Sequence, residues 1–116
     1  MDNFIEVKSF DFAVRIVKLC KYLQKEKQEY ILSKQLLRCG TSIGANIAEA
    51  QQAQSRPDFV AKLSISLKEA VETNYWLRLL NASDILSQSE FSSIYDDCRE
   101  IERLLTSILK TAKSSD

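Results

Sequence analysis

The chain of 116 residues contains no histidine, two glycines and one proline. Without histidine it cannot build a Ser-His-Asp triad, a histidine-ligated zinc site or the Glu-x-x-His di-iron site of helical bundles. A β-rich protein of this length needs several tight turns, which draw on glycine, proline and Asn-Gly pairs. The scarcity of turn residues therefore predicts an all-α protein, and the absence of histidine excludes several classes of enzyme.

Charge of one sign is not in excess, because 16 Lys and Arg residues balance 16 Asp and Glu residues. A content of 45% hydrophobic and 28% charged residues is typical of a globular protein, and the length predicts one domain over 1–116. No run of 18 apolar residues is present, so we expect no membrane-spanning segment. Residues 1–8 carry acidic side chains and no apolar run, unlike a signal peptide, which favours a cytoplasmic location.

The three cysteines, Cys20, Cys39 and Cys98, are widely separated and form no Cys-x-x-Cys pair. This pattern is typical of a reducing compartment, in which each cysteine acts as a small buried hydrophobe. A redox or metal role would require the three to converge in space, and thiolates without histidine make a poor zinc site. We therefore expect neither a cofactor nor a metal.

Hydrophobic periodicity predicts four helices joined by short polar connections. An apolar stripe that recurs every three to four residues marks each helix, and the bounds are about 9–26, 33–54, 56–82 and 88–113. Because short links join antiparallel neighbours, the pattern predicts an up-down-up-down four-helix bundle.

Each predicted helix has a candidate N-terminal signal. Ser9 and Ser33 are the expected N-caps of the first two helices. The run 55–58, Ser-Arg-Pro-Asp, supplies a cap, a proline and an acidic residue for the third helix. Ser87 and Glu90 have the spacing of a capping box at the start of the fourth helix.

Two helices carry a second apolar flank, which a monomeric bundle would leave in water. The flank of helix 1 consists of Phe10, Val14 and Val17, and that of helix 3 consists of Ile65, Trp76, Leu79 and Leu80. These residues are either scattered surface hydrophobes or a contact between subunits. The spacing in helix 1 and the tryptophan in helix 3 favour a subunit contact.

Both glycines of the chain lie four residues apart in helix 2, at Gly40 and Gly44, and Ala48 follows after four more. A glycine inside a helix costs about 1 kcal/mol relative to alanine. Two glycines in one helix are best explained if another helix approaches closely along this face of small residues. A kink at either glycine and a functional approach to the backbone are the alternatives.

Several polar residues of helices 2 and 3 are candidates for specific contacts. We expect Asn46, with Ser42 and Glu49, to bond to neighbouring helices or subunits, and a polar pocket between subunits is the alternative. Glu49, Glu69 and Glu72 could in principle form an acid and base pair. Carboxylates on bundle surfaces are far more often solvated or paired with lysine and arginine, so we expect no enzyme.

Basic residues are concentrated at 8–38, where eight stand against three acidic residues. The candidates for nucleic-acid binding are five residues that share one arc of helix 1 and two residues of helix 2: Lys8, Arg15, Lys18, Lys21, Lys25, Lys34 and Arg38. Such a stripe can follow a phosphate backbone, with an affinity that falls steeply with salt. The alternative is an ordinary solvated lysine face. A neutral chain is a poor nucleic-acid binder alone, but an oligomer would align several copies of the stripe.

A set of motifs between residues 8 and 82 resembles a known family. The motifs lie at 10–23, 33–38, 41–50, 58–63 and 67–77, and the block Ser-Ile-Gly-Ala-Asn-Ile-Ala-Glu at 42–49 is the most specific. Together they resemble the bacterial four-helix-bundle proteins known as 23S rRNA intervening-sequence proteins.

The resemblance implies a left-handed antiparallel bundle that assembles into a ring-like homopentamer and has no assigned enzymatic activity. It also implies a relationship to the accessory protein of diversity-generating retroelements, a more basic pentamer that binds nucleic acid. Two functions follow. The first is a homo-oligomeric bundle that binds rRNA or another nucleic acid, and the second is a protein scaffold without nucleic-acid binding. A small-molecule or metal-binding bundle is a third and weaker interpretation.

Overall fold

The fold is a bundle of four helices. The computed structural model describes residues 3–114. The helices are α1 (Phe4–Glu26), α2 (Leu32–Ala50), α3 (Arg56–Ala82) and α4 (Gln88–Ser114). Each packs against the next in sequence, and α4 packs against α1, which closes a bundle of 48 × 20 × 20 Å. The all-α, up-down-up-down prediction is confirmed.

α1 begins at Phe4, five residues before the predicted start at Ser9. Ser9 is not an N-cap, because it is buried inside the helix and its hydroxyl donates to the carbonyl of Glu6. The apolar stripe continues through that first turn, where Ile5 reaches the core. The sequence pattern therefore mistook Ser9, a buried residue inside the helix, for its N-cap.

α2 begins at Leu32 and ends at Ala50, four residues before the predicted end. The prediction that Ser33 caps this helix was wrong. The carboxylate of Glu29 is the cap, because it accepts hydrogen bonds from the backbone N–H groups of Ile31, Leu32 and Ser33 at 3.1, 2.9 and 2.7 Å. A carboxylate at this position also opposes the positive end of the helix dipole.

The predicted starts of α3 and α4 are confirmed in detail. The hydroxyl of Ser55 accepts the backbone N–H of Asp58 at 3.2 Å. At α4 the exchange is reciprocal: the Ser87 hydroxyl accepts the N–H of Glu90 at 3.2 Å, and the Glu90 carboxylate accepts the N–H of Ser87 at 2.8 Å. These caps satisfy N–H groups that have no partner within the helix.

α1 lies close to α2 at both glycines. A Cβ atom on Gly40 would lie 2.8 Å from Cγ2 of Ile16, and a Cβ atom on Gly44 would lie 3.3 Å from the carbonyl oxygen of Ser9. α2 runs as one helix through both positions, and neither glycine has a positive φ. The small residues thus set the spacing between α1 and α2.

Polar groups in the bundle interior are paired. The buried Ser66 hydroxyl donates to the carbonyl of Ile43 at 2.8 Å, which ties α3 to α2. The amide of Asn74 donates to the carboxylate of Glu102 at 2.8 Å, which ties α3 to α4. Over residues 3–114, no buried side-chain nitrogen or oxygen lacks a hydrogen-bond partner. The buried polar side chains of these residues are therefore satisfied within the chain.

Candidate interaction surfaces

Two of the predicted nucleic-acid-binding residues, Lys8 and Arg15, are paired with carboxylates of α4. The Lys8 ammonium lies 2.8 Å from Glu100 and 3.6 Å from Asp97, and the Arg15 guanidinium lies 2.6 Å from Asp97. Partial burial of Lys8 lowers its pKa, but the hydrogen bond to Glu100 and the charge of Asp97 outweigh that effect and raise the pKa overall. Much of the positive charge of this pair is therefore neutralised within the chain.

A third predicted residue, Arg38 of α2, pairs with α3. Its guanidinium binds the carboxylates of Glu69, at 3.4 Å, and Glu72. The indole N–H of Trp76 donates to the same Glu72 carboxylate at 2.9 Å. This arrangement holds two of the three acidic residues considered for acid and base chemistry in a structural ion-pair network.

The polar residues of α2 make mostly local contacts. Glu49, the third acidic residue, pairs with Lys62 of α3 at 2.8 Å, and that hydrogen bond raises the pKa of Lys62. The amide of Asn46 donates to the carbonyl of Ser42 at 2.9 Å, and the Ser42 hydroxyl donates to the carbonyl of Arg38 at 2.7 Å. Only Glu49 therefore bonds to a neighbouring helix as predicted, while Asn46 and Ser42 bond within α2.

The other four predicted basic residues, Lys18, Lys21, Lys25 and Lys34, are exposed. No carboxylate in the described part of the chain forms an ion pair with any of them. The first three share one side of α1, because they follow at spacings of three and four residues. Lys34 lies in the first turn of α2, at the end of the bundle where α1 finishes. These four lysines form the basic end of the molecule.

Two exposed apolar residues lie beside the basic end, in the connection between α1 and α2. They are Tyr30 and Ile31, which are 54% and 76% exposed. Sequence reasoning treated this connection as polar and missed both. The signal that could have found them is an aromatic and a β-branched residue directly after a charged run.

A groove is lined by side chains from the first half of α1 and the second half of α2. It encloses about 570 Å³. We call it the α1/α2 groove; its lining includes Val7, Phe10 and Ala13 from α1, Gly44, Ala45 and Ala48 from α2, and the acidic Glu6 and Asp11. Phe10 is 68% exposed, and Val7 and Val14 are also exposed. The apolar flank predicted on helix 1 thus continues along this groove, where Ala48 is exposed as well.

The apolar flank predicted on α3 is present only in part. Ile65 is exposed, and Trp76 and Leu79 are half-buried. Leu80 is fully buried in the core, so its assignment to the flank was wrong. It follows Leu79 by one residue, and a rotation of about 100° about the helix axis turns it inward.

Two exposed residues of α3, Val71 and Tyr75, were not predicted. The Arg78 guanidinium lies 5.8 Å from the centre of the Tyr75 ring, and the edge of that ring meets Trp76. We call the outer side of α3 the α3 ridge; it consists of Ile65, Lys68, Val71, Tyr75 and Arg78. The ridge combines three apolar or aromatic side chains with two positive charges.

The three cysteines are free and buried. Burial raises the pKa of Cys20 to about 12 and that of Cys39 to about 11, and it also raises the pKa of Cys98. Such thiols stay protonated at neutral pH and are poor nucleophiles. Within residues 3–114, no group of three or more Cys, Asp or Glu side chains is arranged to hold a metal ion, and no helix is long and apolar enough to cross a membrane.

Comparison with known proteins gives a family and a solved relative. A family model described as 23S rRNA-intervening sequence protein matches residues 2–107. The chain is also similar to a crystal structure of a protein of unknown function from the S23 ribosomal protein family of Bacteroides thetaiotaomicron VPI-5482. The two share 56% sequence identity over 94% of this chain and 97% of that chain, with a TM-score of 0.92. No curated protein matches the chain.

Proposed function

The chain belongs to the 23S rRNA-intervening sequence protein family, and on that premise we propose that it is a non-enzymatic, homo-oligomeric bundle that binds RNA. The observation that carries the proposal is the outer flank of α1, where Val7, Phe10 and Val14 are exposed beside the α1/α2 groove. A contiguous apolar surface of this kind is typical of a protein interface. The stoichiometry implied by the family resemblance is a pentamer.

The basic end is the surface that we assign to RNA. Lys18, Lys21, Lys25 and Lys34 are exposed without an ion pair in the described chain, so their charge is available to phosphates. Tyr30 lies between α1 and α2 beside them, and an exposed aromatic ring can stack on an unpaired base. An oligomer repeats this set in every subunit, which compensates for the zero net charge of one chain. The rRNA in the family description makes it the first RNA to test.

A salt series of RNA binding tests the nucleic-acid part of the proposal. Retention of rRNA fragments should fall steeply as salt rises, because bound phosphates release counterions. The variant Lys18→Glu plus Lys25→Glu should abolish retention and leave the oligomer intact. The matched control Lys110→Glu plus Lys113→Glu makes the same charge change on exposed residues of α4. It should retain RNA.

A mass measurement tests the assembly part. Phe10→Asp adds a charge at an exposed position of the apolar flank, so it should dissociate the oligomer without unfolding the bundle. Sedimentation velocity gives the mass, and circular dichroism gives the helix content. An oligomer that keeps its mass in Phe10→Asp would exclude this flank as the contact.

A protein scaffold without nucleic-acid binding is the second candidate. The specific observation in its favour is that Lys8, Arg15 and Arg38 form ion pairs with carboxylates of α3 and α4. Three of the seven predicted basic residues are therefore poorly placed for phosphates. If the oligomer forms and retains no RNA even at low salt, the scaffold is the correct function.

A further inference from the structure

We propose that the α3 ridge of one copy docks into the α1/α2 groove of a second copy, in a head-to-tail contact. This inference rests on the proposed self-association and specifies the two surfaces that meet. It goes beyond the exposed flank of α1, because it assigns a role to α3 and a direction to the assembly.

The spacing of side chains on the two surfaces is the first argument. On α1, Val7, Phe10, Val14 and Val17 follow at intervals of three, four and three residues. On the α3 ridge, Ile65, Lys68, Val71, Tyr75 and Arg78 follow at intervals of three, three, four and three. Both patterns match the seam by which two helices pack side by side over several turns. α1 and α3 have 23 and 27 residues, which is long enough for such a seam.

The shape of the groove is the second argument. The exposed Ala45 and Ala48 line it with small side chains, so the backbone of an incoming helix can approach closely. The α3 ridge supplies the larger groups that would fill the space, Ile65 and Tyr75, which are 42% and 49% exposed. The α1/α2 groove is concave, and the exposed side chains of the α3 ridge could fill it.

Charge is the third argument. Glu6 and Asp11 line the groove, whereas Lys68 and Arg78 lie on the ridge. None of these four makes an ion pair among the residues that the structure describes. Opposite charges on two otherwise apolar surfaces favour this pairing and disfavour a groove against a groove.

The amount of apolar surface that the contact covers is the fourth argument. A symmetric contact of α1 with α1 would cover the flank of α1 and leave Ile65, Val71 and Tyr75 in water. A head-to-tail contact covers both surfaces with one kind of interface. Such a contact closes into a ring when the rotation between subunits allows it, and it otherwise extends as a filament.

Mixing two interface variants tests the proposal directly. Phe10→Asp damages the groove, and Ile65→Asp damages the ridge; both positions are exposed, so both variants should fold. Each variant alone should be monomeric. Their equimolar mixture should form a heterodimer of two 13.3-kDa chains, because each pair has one intact groove and one intact ridge. Ser107→Asp, an exposed change on α4, is the control that should keep the wild-type mass.

Charge exchange provides a second readout that does not depend on apolar residues. Lys68→Glu plus Arg78→Glu should weaken association by at least about tenfold, because four like charges then meet. Glu6→Lys plus Asp11→Lys should weaken it similarly. The two variants mixed together should recover association.

The outcomes separate this inference from the proposed function. If the wild type is a monomer at every concentration, the proposed function is wrong, and this inference falls with it. If the wild type is an oligomer and Ile65→Asp keeps the same mass, the ridge is not part of the contact and only this inference is overturned. The same holds if the mixed variants stay monomeric. A heterodimer in the mixture supports the inference.

Discussion

Gly40 and Ile16 are in such close contact that a Cβ atom on the glycine would lie 2.8 Å from Cγ2 and 2.9 Å from Cγ1 of the isoleucine. Ile16 is fully buried, so its side chain has no open space into which it can move. At Gly44, one turn further on, the nearest atom would be the Ser9 carbonyl oxygen at 3.3 Å. Of the two glycine positions, Gly40 therefore leaves less room for a side chain between α1 and α2.

Alanine at the two glycines should have different effects. At Gly40, overpacking of a core costs about 1–3 kcal/mol and exceeds the gain of about 1 kcal/mol in helix propensity, so Gly40→Ala should lower the free energy of unfolding. At Gly44 the nearest contact would be longer, at 3.3 Å from a backbone oxygen, so Gly44→Ala should cost less stability than Gly40→Ala. Urea unfolding measures both. A Gly40→Ala protein more stable than Gly44→Ala would contradict the account of this helix contact.

Removal of the Glu29 carboxylate should destabilise the start of α2. Glu29→Ala leaves three backbone N–H groups without their acceptor, and we expect a loss of about 1–2 kcal/mol in the free energy of unfolding. Glu29→Gln keeps one acceptor oxygen and should lie between Glu29→Ala and the wild type. Gln35→Ala, an exposed change within α2, is the control. Equal stability of Glu29→Ala and this control would show that the cap is unimportant.

Release of Lys8 and Arg15 should strengthen RNA binding. Asp97→Asn plus Glu100→Gln removes the carboxylates that pair with them, frees two cations on the side of α1 and costs about 0.5–1 kcal/mol of stability. The control Asp84→Asn plus Asp96→Asn makes the same change in net charge at exposed positions. RNA affinity should rise more in the first variant than in the control. Equal increases would mean that net charge alone governs binding and that Lys8 and Arg15 contact no phosphate.

Acid should weaken the contact between Tyr22 of α1 and Glu90 of α4. The hydrogen bond from the Tyr22 hydroxyl, followed by the backbone N–H of Ser87, holds the pKa of Glu90 below its ordinary value of 4.5. A carboxyl group with a lowered native pKa contributes stability that is present above pH 4.5 and is lost as pH falls through the native value.

Tyr22→Phe tests this linkage. The Glu90 carboxyl should titrate at a higher pH in the variant, which an NMR titration of its side chain measures. The stability difference between the wild type and the variant should be largest above pH 4.5 and should shrink in more acidic solution. An unchanged pKa of Glu90 in Tyr22→Phe would show that the hydrogen bond does not form in solution.

The helices were predictable from sequence because their apolar stripes are regular and because Ser55 and Ser87 have strong capping partners. Ser9 and Ser33 misled the prediction for a physical reason. Both are small enough to sit in the core, so a serine beside an apolar stripe marks a cap in one place and a buried helix position in another. The true cap of α2, Glu29, lies in the connection and bonds over two to four residues, which no capping pattern anticipated.

The interaction surfaces were harder to predict, because they depend on how helices face one another. The arc of α1 that holds Lys8 and Arg15 could be drawn from the sequence, but the carboxylates that pair with them belong to α4, more than 80 residues away along the chain. Leu80 was misplaced because assignment to a flank depends on the exact direction of the core. The groove is formed by residues of both α1 and α2, so it could not be predicted from either helix alone. The two glycines indicated only that α2 is closely approached by another helix.

The mass of the wild-type protein in solution tests the central claim most directly, since every proposal here depends on copies covering each other's apolar surface. Sedimentation velocity over a range of micromolar concentrations should give one species that contains at least two chains of 13.3 kDa. A single 13.3-kDa particle at every concentration would contradict the account.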